Sequence, residues 1–145
     1  MGRYLLDTSC LVAAVCAWHE HHEVTLGDIE RRRRSRETPV IAGHSLVESY
    51  AVLTRLPAGH RLSAQDALTL LETNWGEAEI VTLAPSEHWK ALRAARDQSV
   101  AGGAVYDALI AACAVKGRVR TLLTWNLAHF ERFAGPGLEV AAPRA

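Results

Sequence analysis

The sequence predicts an α/β fold, a three-layer α/β/α domain around a central, mostly parallel sheet of about five strands. Short apolar segments rich in β-branched residues alternate with longer segments whose apolar residues recur at helical spacing. This alternation is typical of a parallel sheet that helices cover on both faces. The chain has 145 residues, with no internal repeat and no linker that would divide it. Residues 1–145 are therefore expected to form a single domain.

Five short apolar segments are predicted to be strands. They are RYLL (3–6), TPVIAG (38–43), EIVTLAP (79–85), RTLLTWN (120–126) and GLEVAAP (137–143). The third alternates in hydrophobicity, and the last can form an edge strand. These five segments account for the whole predicted sheet.

The segments between the strands are predicted to be helices. Thr8 or Ser9 is a suitable N-cap for the first helix, and Ser63 for the fourth, because their hydroxyls accept hydrogen bonds from free backbone N–H groups. Gly117 is expected as the C′ residue that ends the sixth helix. The helices are predicted at 10–18, 19–37, 44–56, 64–75, 86–99 and 104–116, with a short helical turn at 127–133.

Charge, cysteine content and hydropathy indicate the compartment of the protein and limit its expected partners. Sixteen basic residues balance sixteen acidic ones, so no overall charge attracts nucleic acid, and any such contact must come from local clusters. Cys10, Cys16 and Cys113 lack CxxC spacing and lie in apolar segments, which indicates buried free thiols in a reducing compartment. No run approaches the 18 or so apolar residues of a membrane span. We expect a cytoplasmic protein with no membrane partner.

Several polar side chains fall where parallel sheets bind ligands. Asp7 directly follows the first predicted strand, while Thr124 and Asn126 lie at the end of the fourth. Glu48 is near the start of the third helix, and Asp107 lies one turn into an apolar helix. Ligands of open parallel sheets bind outside the carboxyl ends of the strands. These residues are therefore the candidates for a common site.

Structural roles are alternatives for two of the acids. Asp7 can simply cap the first helix. Glu48 completes the pattern Ser45-x-x-Glu48, which is that of a capping box. Asp107 is harder to explain structurally, because no basic residue lies three or four positions away to pair with it.

If the carboxylates of Asp7, Glu48 and Asp107 converge, their negative charges must be compensated. Their mutual repulsion raises at least one pKa sharply unless a cation lies among them. Oxygen ligands without His or Cys at metal-binding spacing suit Mg²⁺ or Mn²⁺. Such a site activates water and neutralises charge on a phosphoryl group, so the residues indicate phosphodiester hydrolysis.

Four segments carry a family resemblance. They are YLLDTSCLVA, HSLVESYAVLTRLP, GGAVYDALIAACA and LLTWNLAHFERF, and they span nearly the whole chain. In order and spacing they resemble the signature segments of PIN-domain ribonucleases, most closely the VapC toxins of bacterial toxin–antitoxin pairs. The resemblance implies a PIN-like domain with a five-stranded parallel sheet and Mg²⁺-dependent cleavage of an RNA substrate. It also implies a homodimer and inhibition by a VapB-type antitoxin.

The resemblance assigns roles to individual residues. Asp7, Glu48 and Asp107 match the acidic ligands of the family, and Thr8 and Thr124 match small hydroxyl residues that often stand beside the metal. Asp7 and Asp107 are then expected to hold the cation. Glu48 either ligates it or positions and deprotonates the attacking water.

This chain departs from the family pattern at one point. The family commonly has a fourth acid at or shortly after the end of the fourth strand, where this chain has Asn126 and His129. Asn126 can ligate a metal or orient a water through its amide oxygen, but it adds no negative charge. We therefore prefer a site with one metal ion.

Two rival functions follow from the same residues. Asn126 at the position of an acid motivates a PIN-fold interaction protein that has lost activity. A second rival is another Mg²⁺-dependent phosphohydrolase, such as a phosphatase. A DxD pair at the first strand would favour it, but LLDTSC contains one acid.

Three further features are expected to be structural or solvated. The histidines of WHEHHE (18–23) are assigned to a solvated helix start rather than a zinc site. The run Arg31–Arg36 can hold RNA or an acidic antitoxin tail, but a solvated role is favoured. The four tryptophans are expected in the core rather than as platforms for nucleic-acid bases; they are Trp18, Trp75, Trp89 and Trp125.

Overall fold

The computed structural model describes residues 2–145, in which five strands form one parallel sheet. The strands are β1 (Arg3–Leu6), β2 (Thr38–Ala42), β3 (Glu79–Val81), β4 (Thr121–Leu123) and β5 (Glu139–Ala141). Their order across the sheet is β3-β2-β1-β4-β5, and every pairing is parallel. The predicted α/β class and the five predicted strands are confirmed.

Helices cover both faces of the sheet. They are α1 (Thr8–Val15), α2 (His22–Arg34), α3 (Gly43–Thr54), α4 (Ala64–Trp75), α5 (Pro85–Asp97), α6 (Ala104–Lys116) and α7 (Leu127–Phe130), the last followed by a 3₁₀ turn at Glu131–Phe133. α1 packs against α2, α3 and α4, while α6 packs against α5 and α7. No helix within residues 2–145 is long and apolar enough to cross a membrane.

The core consists of two apolar clusters, one on each face of the sheet. Along β1, Tyr4 and Leu6 belong to the cluster under α1, α3 and α4, whereas Leu5 belongs to the cluster under α6 and α7. All three side chains are buried. A strand buried on both faces explains why RYLL is a continuous apolar run rather than an alternating one. The three cysteines are buried with free thiols, as expected.

The order of the strands places a crevice between β1 and β4. The chain runs from β1 to β2 and β3 on one side, and β4 then lies on the other side of β1. Leu6 pairs with Leu123, and the Asp7 amide donates to the Leu123 carbonyl at 3.1 Å. Ligands bind at such a reversal of strand order. Asp7 and the residues after β4 therefore meet at the predicted edge of the sheet.

Two predicted helix ends are wrong. Asp7, not Thr8 or Ser9, is the N-cap of α1, because its carboxylate accepts a hydrogen bond from the Cys10 amide. Gly117 is the C-cap residue of α6 with φ −76°, and the left-handed conformation falls on Arg118 with φ 57°. Both differences are shifts of one or two residues and leave the order of elements unchanged.

The tryptophans are distributed differently from the prediction. Trp75 is buried in the core, but Trp18 is 48% exposed and Trp89 is 64% exposed. Trp18 lies outside a helix because α1 ends at Val15, three residues earlier than predicted. Its ring stacks on His60 with centroids 4.2 Å apart. The assignment of Trp18 and Trp89 to the core is therefore wrong.

Much of the arginine run is paired with acids of its own helix. Asp28 is fully buried, and its Oδ1 accepts from Arg32 Nε at 2.6 Å and pairs with Arg31 at 2.9 Å. The next two arginines pair with Glu30. A buried carboxylate needs such partners. Arg32 therefore has a structural role, for which the favoured solvated role is wrong, whereas Arg33 and Arg34 are exposed to solvent as that role predicts.

Ser63 caps α4, and its substitution should moderately lower the stability of the protein. Ser63 Oγ accepts a hydrogen bond from the Asp66 amide at 3.1 Å, as the sequence predicts. Ser63→Ala should lower the free energy of unfolding by about 1 kcal/mol, because that amide loses its partner. Urea unfolding measures the loss, and Ser63→Asp should restore the wild-type midpoint. Equal midpoints for Ser63→Ala and wild type would show that the cap contributes nothing.

Candidate active site

Asp7 lies at the base of the crevice with both carboxylate oxygens engaged. It is 2% exposed. Oδ1 accepts hydrogen bonds from Ser9 Oγ at 2.6 Å and from the Cys10 amide at 3.0 Å, and Oδ2 accepts from Thr124 Oγ1 at 2.6 Å. Burial raises the pKa of Asp7, and these hydrogen bonds act in the opposite direction. The carboxylate is thus both a helix cap and a fixed group under the site.

Two hydroxyls connect Asp7 to the loop after β4. Ser9 Oγ donates to Asp7 and accepts from the Trp125 amide at 2.9 Å. Thr124 Oγ1 donates to Asp7 and accepts from the Asn126 amide at 2.9 Å. Each hydroxyl therefore satisfies the carboxylate and a backbone N–H at once. The position of Asn126 is fixed relative to Asp7 by these contacts.

The hydrogen bonds that link Asp7 to the Asn126 amide through Thr124 should contribute to stability. Thr124→Val keeps the shape of the side chain but leaves Asp7 Oδ2 and the Asn126 amide without their partner, and Thr124 is fully buried. The free energy of unfolding should fall by about 1–3 kcal/mol. Thermal and urea unfolding measure the change, and Thr124→Ser keeps the hydroxyl and should lose less. A Val variant as stable as wild type would contradict the linkage.

Thr8 is a buried hydroxyl without a hydrogen-bond partner inside residues 2–145. Its side chain lines a cleft of about 400 Å³ together with Ser9, Glu48 and Asn126. An unsatisfied buried hydroxyl is unfavourable unless a ligand or water completes its bonding. Thr8 therefore offers a free polar atom to a molecule bound in the cleft.

Glu48 is not a helix cap. α3 begins at Gly43 with Ala42 as its N-cap, so Ser45 and Glu48 both lie inside the helix. The capping-box alternative is therefore wrong. Glu48 instead lines the cleft, and its Oε2 lies 3.2 Å from His44 Nε2. The carboxylate is available to a ligand, and His44 can orient it.

Asp107 is coupled electrostatically to Glu48. It is the fourth residue of α6, its side chain is 23% exposed, and its Oδ2 lies 3.9 Å from His129 Nδ1. Burial raises the pKa of Asp107 most, and the charge of Glu48 raises it further. His129 and His44 lower it. The structure thus brings these two carboxylates and two histidines within electrostatic reach.

His44 and Ser9 are the site residues that the sequence does not reveal. Ser9 is one of two hydroxyl residues directly after Asp7, and no local pattern indicates which of them bonds to the carboxylate. His44 stacks on Tyr106 of α6, with ring centroids 5.0 Å apart and planes at 8°. That contact joins residues 62 positions apart in the sequence. The spacing of Glu48 four residues after His44 is the one available signal.

The donor atoms of the site suit a hard divalent cation. They are the carboxylates of Asp7, Glu48 and Asp107, the amide oxygen of Asn126 and the unpaired Thr8 hydroxyl. Within residues 2–145, no three or more His, Cys, Asp or Glu side chains are grouped to hold a metal ion. Mg²⁺ in proteins is usually bound by one or two carboxylates, with water and substrate phosphate completing its shell. The residues fit such an open site, and the full three-carboxylate set stays a prediction.

Comparison with protein families identifies relatives over most of the chain. A model of the PIN domain matches residues 4–135. Ribonuclease VapC27 of Mycobacterium tuberculosis is 36% identical over 114 residues, which cover 79% of this chain and 71% of the relative. Ribonuclease VapC40 of the same species is 35% identical over 134 residues, 92% of this chain and 94% of the relative.

Solved structures share the fold. VapBC2 from Rickettsia felis, bound to a promoter DNA fragment, has a TM-score of 0.69 at 20% identity, over 95% of this chain and 96% of the other. The sarcin–ricin loop cleaving toxin VapC20 of Mycobacterium tuberculosis has a TM-score of 0.67 at 15% identity, over 89% and 94%. FitAB bound to an IR36 DNA fragment has a TM-score of 0.63 at 14% identity, over 97% and 94%. At these identities the likeness concerns the fold alone.

Proposed function

Because the chain belongs to the PIN domain family, we propose that it is a VapC-type endoribonuclease and the toxin of a toxin–antitoxin pair. We further propose that Mg²⁺, or Mn²⁺ in its place, is required for cleavage of RNA phosphodiester bonds. The observation that carries this proposal is the cleft that Thr8, Glu48 and Asn126 line beside the buried carboxylate of Asp7, with Asp107 within electrostatic reach of Glu48. A carboxylate that raises the pKa of a neighbouring acid, as Glu48 does for Asp107, is more typical of a functional site than of a purely structural one.

The cation would be held by Asp7 and Asp107, with Glu48 as a third ligand or as the general base. When bound, it would acidify a water and neutralise charge on the phosphate. Glu48 lies on the cleft and can accept the proton of the attacking water, while His44 donates to Glu48 Oε2 and holds it in place. Asn126 is tied to Asp7 through Thr124 and can orient a water with its amide oxygen. Because Asn126 adds no charge, a single ion is proposed.

The proposed partners are an RNA substrate, a VapB-type antitoxin and a second copy of the chain. Support for RNA comes from two relatives that are named ribonucleases and from a structural neighbour described as a toxin that cleaves the sarcin–ricin loop. Support for an antitoxin comes from the neighbouring VapBC2 and FitAB structures. The proposal of a homodimer rests on the family resemblance alone.

The test of this proposal is cleavage of pooled cellular RNA by the protein freed of any antitoxin. Discrete fragments are expected with Mg²⁺ or Mn²⁺ and none with EDTA, and added Mg²⁺ should restore cleavage. Equal cleavage with and without EDTA would contradict the metal requirement. Absence of cleavage by the folded protein with either metal would favour the second candidate, an inactive PIN-fold interaction protein, for which Asn126 is the motivating observation.

A further inference from the structure

Five aromatic rings form a continuous row that ends at the cleft. In order they are His60, Trp18, His19, His21 and Trp125, and the centroids of successive rings are 4.2, 5.9, 5.6 and 3.8 Å apart. We call this row the ring track. The rings come from three separate parts of the chain, between α3 and α4, between α1 and α2, and after β4. Folding, not local sequence, creates the track.

The inner end of the ring track belongs to the candidate site. His19, His21 and Trp125 line the same cleft as Glu48 and Asn126. The Trp125 indole lies parallel to the His21 ring at 7°, and its Nε1 donates to Thr25 Oγ1 at 2.9 Å. The Trp125 amide is held by Ser9, which also donates to Asp7. The inner end of the track is therefore held by fixed groups next to the proposed cleavage site.

The outer end of the track is open to solvent. Trp18 is 48% exposed although it is a large apolar side chain, and His60 is also exposed. Trp18 is therefore only half covered, although it stacks on His60 and lies beside His19. The row offers aromatic surface leading from solvent to the cleft.

The chemistry of the track suits unpaired bases rather than phosphates. Aromatic side chains bind single-stranded nucleic acid because every base presents a π-face that can stack. Glu20 Oε1 lies 3.5 Å from His21 Nε2 at the inner part of the row, which disfavours a phosphate there. Stacking is thus favoured over charge as the means of recognition.

We propose that unpaired bases of the RNA substrate stack along the ring track, with Trp18 as the outer platform and the stacked pair of His21 and Trp125 at the cleft end. This inference rests on the proposed function, since it takes RNA to be the substrate. It deepens that function by specifying a single-stranded segment on one side of the cleaved bond. Trp18 is then a positioning residue that affects binding rather than the chemical step.

The test compares four proteins that all carry Asp107→Asn, so that bound RNA stays intact. One has no other change, and the others add Trp18→Ala, Trp18→Phe or Trp89→Ala. Trp89 is an exposed tryptophan on α5 and serves as the matched control. Binding of a fluorescently labelled single-stranded oligoribonucleotide is measured by anisotropy, alongside a duplex of the same sequence. Thermal unfolding of each variant confirms that it is folded.

Trp18→Ala should weaken binding of the single strand by about 5- to 150-fold, the loss of one stacked base. Trp18→Phe should retain most of the affinity, Trp89→Ala should change nothing, and the duplex should bind more weakly than the single strand. In the cleaving protein, Trp18→Ala should raise KM and leave kcat unchanged. Equal affinity of the Trp18→Ala and Trp89→Ala proteins would overturn the proposal, as would a preference for the duplex.

Different results would overturn the ring-track proposal and the proposed nuclease function. Cleavage by the wild-type protein with an unchanged KM in Trp18→Ala would overturn the track and leave the nuclease standing. Trp18-dependent binding without cleavage would support the track and overturn the nuclease. A loss of antitoxin binding in Trp18→Ala with unchanged RNA binding would assign the rings to the antitoxin and overturn the proposal.

Discussion

Asp107→Asn is expected to reduce RNA cleavage by about 10²-fold or more, because the cation that Asp107 is proposed to hold would supply several kcal/mol of charge stabilisation in the transition state. The substitution removes one of two coupled carboxylates and changes little in shape. Burial raises the pKa of Asp107, and Glu48 raises it further, so the ionised carboxylate is disfavoured in the folded protein without a cation. Stability should therefore be unchanged or higher in the variant at neutral pH. Initial cleavage rates with Mg²⁺ and thermal unfolding in EDTA measure the two effects.

Asp97→Asn is the matched control for that variant. Asp97 ends α5 and pairs with exposed Arg96 at the surface, so its loss should leave cleavage unchanged. An Asp107→Asn protein that cleaves at the rate of the Asp97→Asn protein would show that Asp107 has no catalytic part. A variant that unfolds while its folded fraction stays active would make Asp107 structural.

Asp7→Asn is the second substitution with a large expected effect, a loss of cleavage of about 10²-fold or more with the fold retained, because Asp7 is also proposed to hold the cation. Asparagine keeps an oxygen that can accept from the Cys10 amide, so the cap of α1 survives. Burial raises the pKa of Asp7 above the ordinary 3.8, so the ionised carboxylate is disfavoured in the folded protein. Asparagine carries no charge and avoids this cost. The free energy of unfolding at neutral pH in EDTA should be unchanged or higher than that of wild type.

The pH dependence of stability tests the same residue. A carboxyl whose pKa is raised on folding favours the folded state below its unfolded pKa, and this contribution is lost as pH rises through the folded value. The stability of wild type relative to Asp7→Asn should therefore fall as pH rises from 3.8 through the raised pKa of Asp7. Urea unfolding of both proteins across that interval measures the difference. A relative stability that rises with pH would mean that the hydrogen bonds outweigh burial.

The fold could be predicted because its signals are local. RYLL in β1 and the pair Leu122–Leu123 in β4 are apolar because both faces of the central strands are covered. Ser63 marks the start of α4 because a cap depends on two nearby residues. Boundaries such as the start of α1 were missed because Asp7, Thr8 and Ser9 can all serve as caps, and contacts with β4 decide among them.

The site could be predicted in part. Asp7, Asn126 and Thr124 were identified because the ends of parallel strands meet at one edge of a sheet. The linkage of Asp7 through Ser9 to the Trp125 amide could not be predicted, because Ser9 and Trp125 lie 116 residues apart in the sequence. The ring track was missed for the same reason. The tryptophan and the histidines of WHEHHE show no shared role until folding places His60 beside Trp18 and Trp125 beside His21.

RNA cleavage by this protein should depend on the carboxylates of the site. The most direct test of this dependence is to incubate pooled cellular RNA and Mg²⁺ with the wild-type, Asp107→Asn and Asp97→Asn proteins and to map the 5′ ends of the products. We expect discrete new ends with wild type and Asp97→Asn and none with Asp107→Asn. The same ends with all three proteins, or none with folded wild type, would contradict the account.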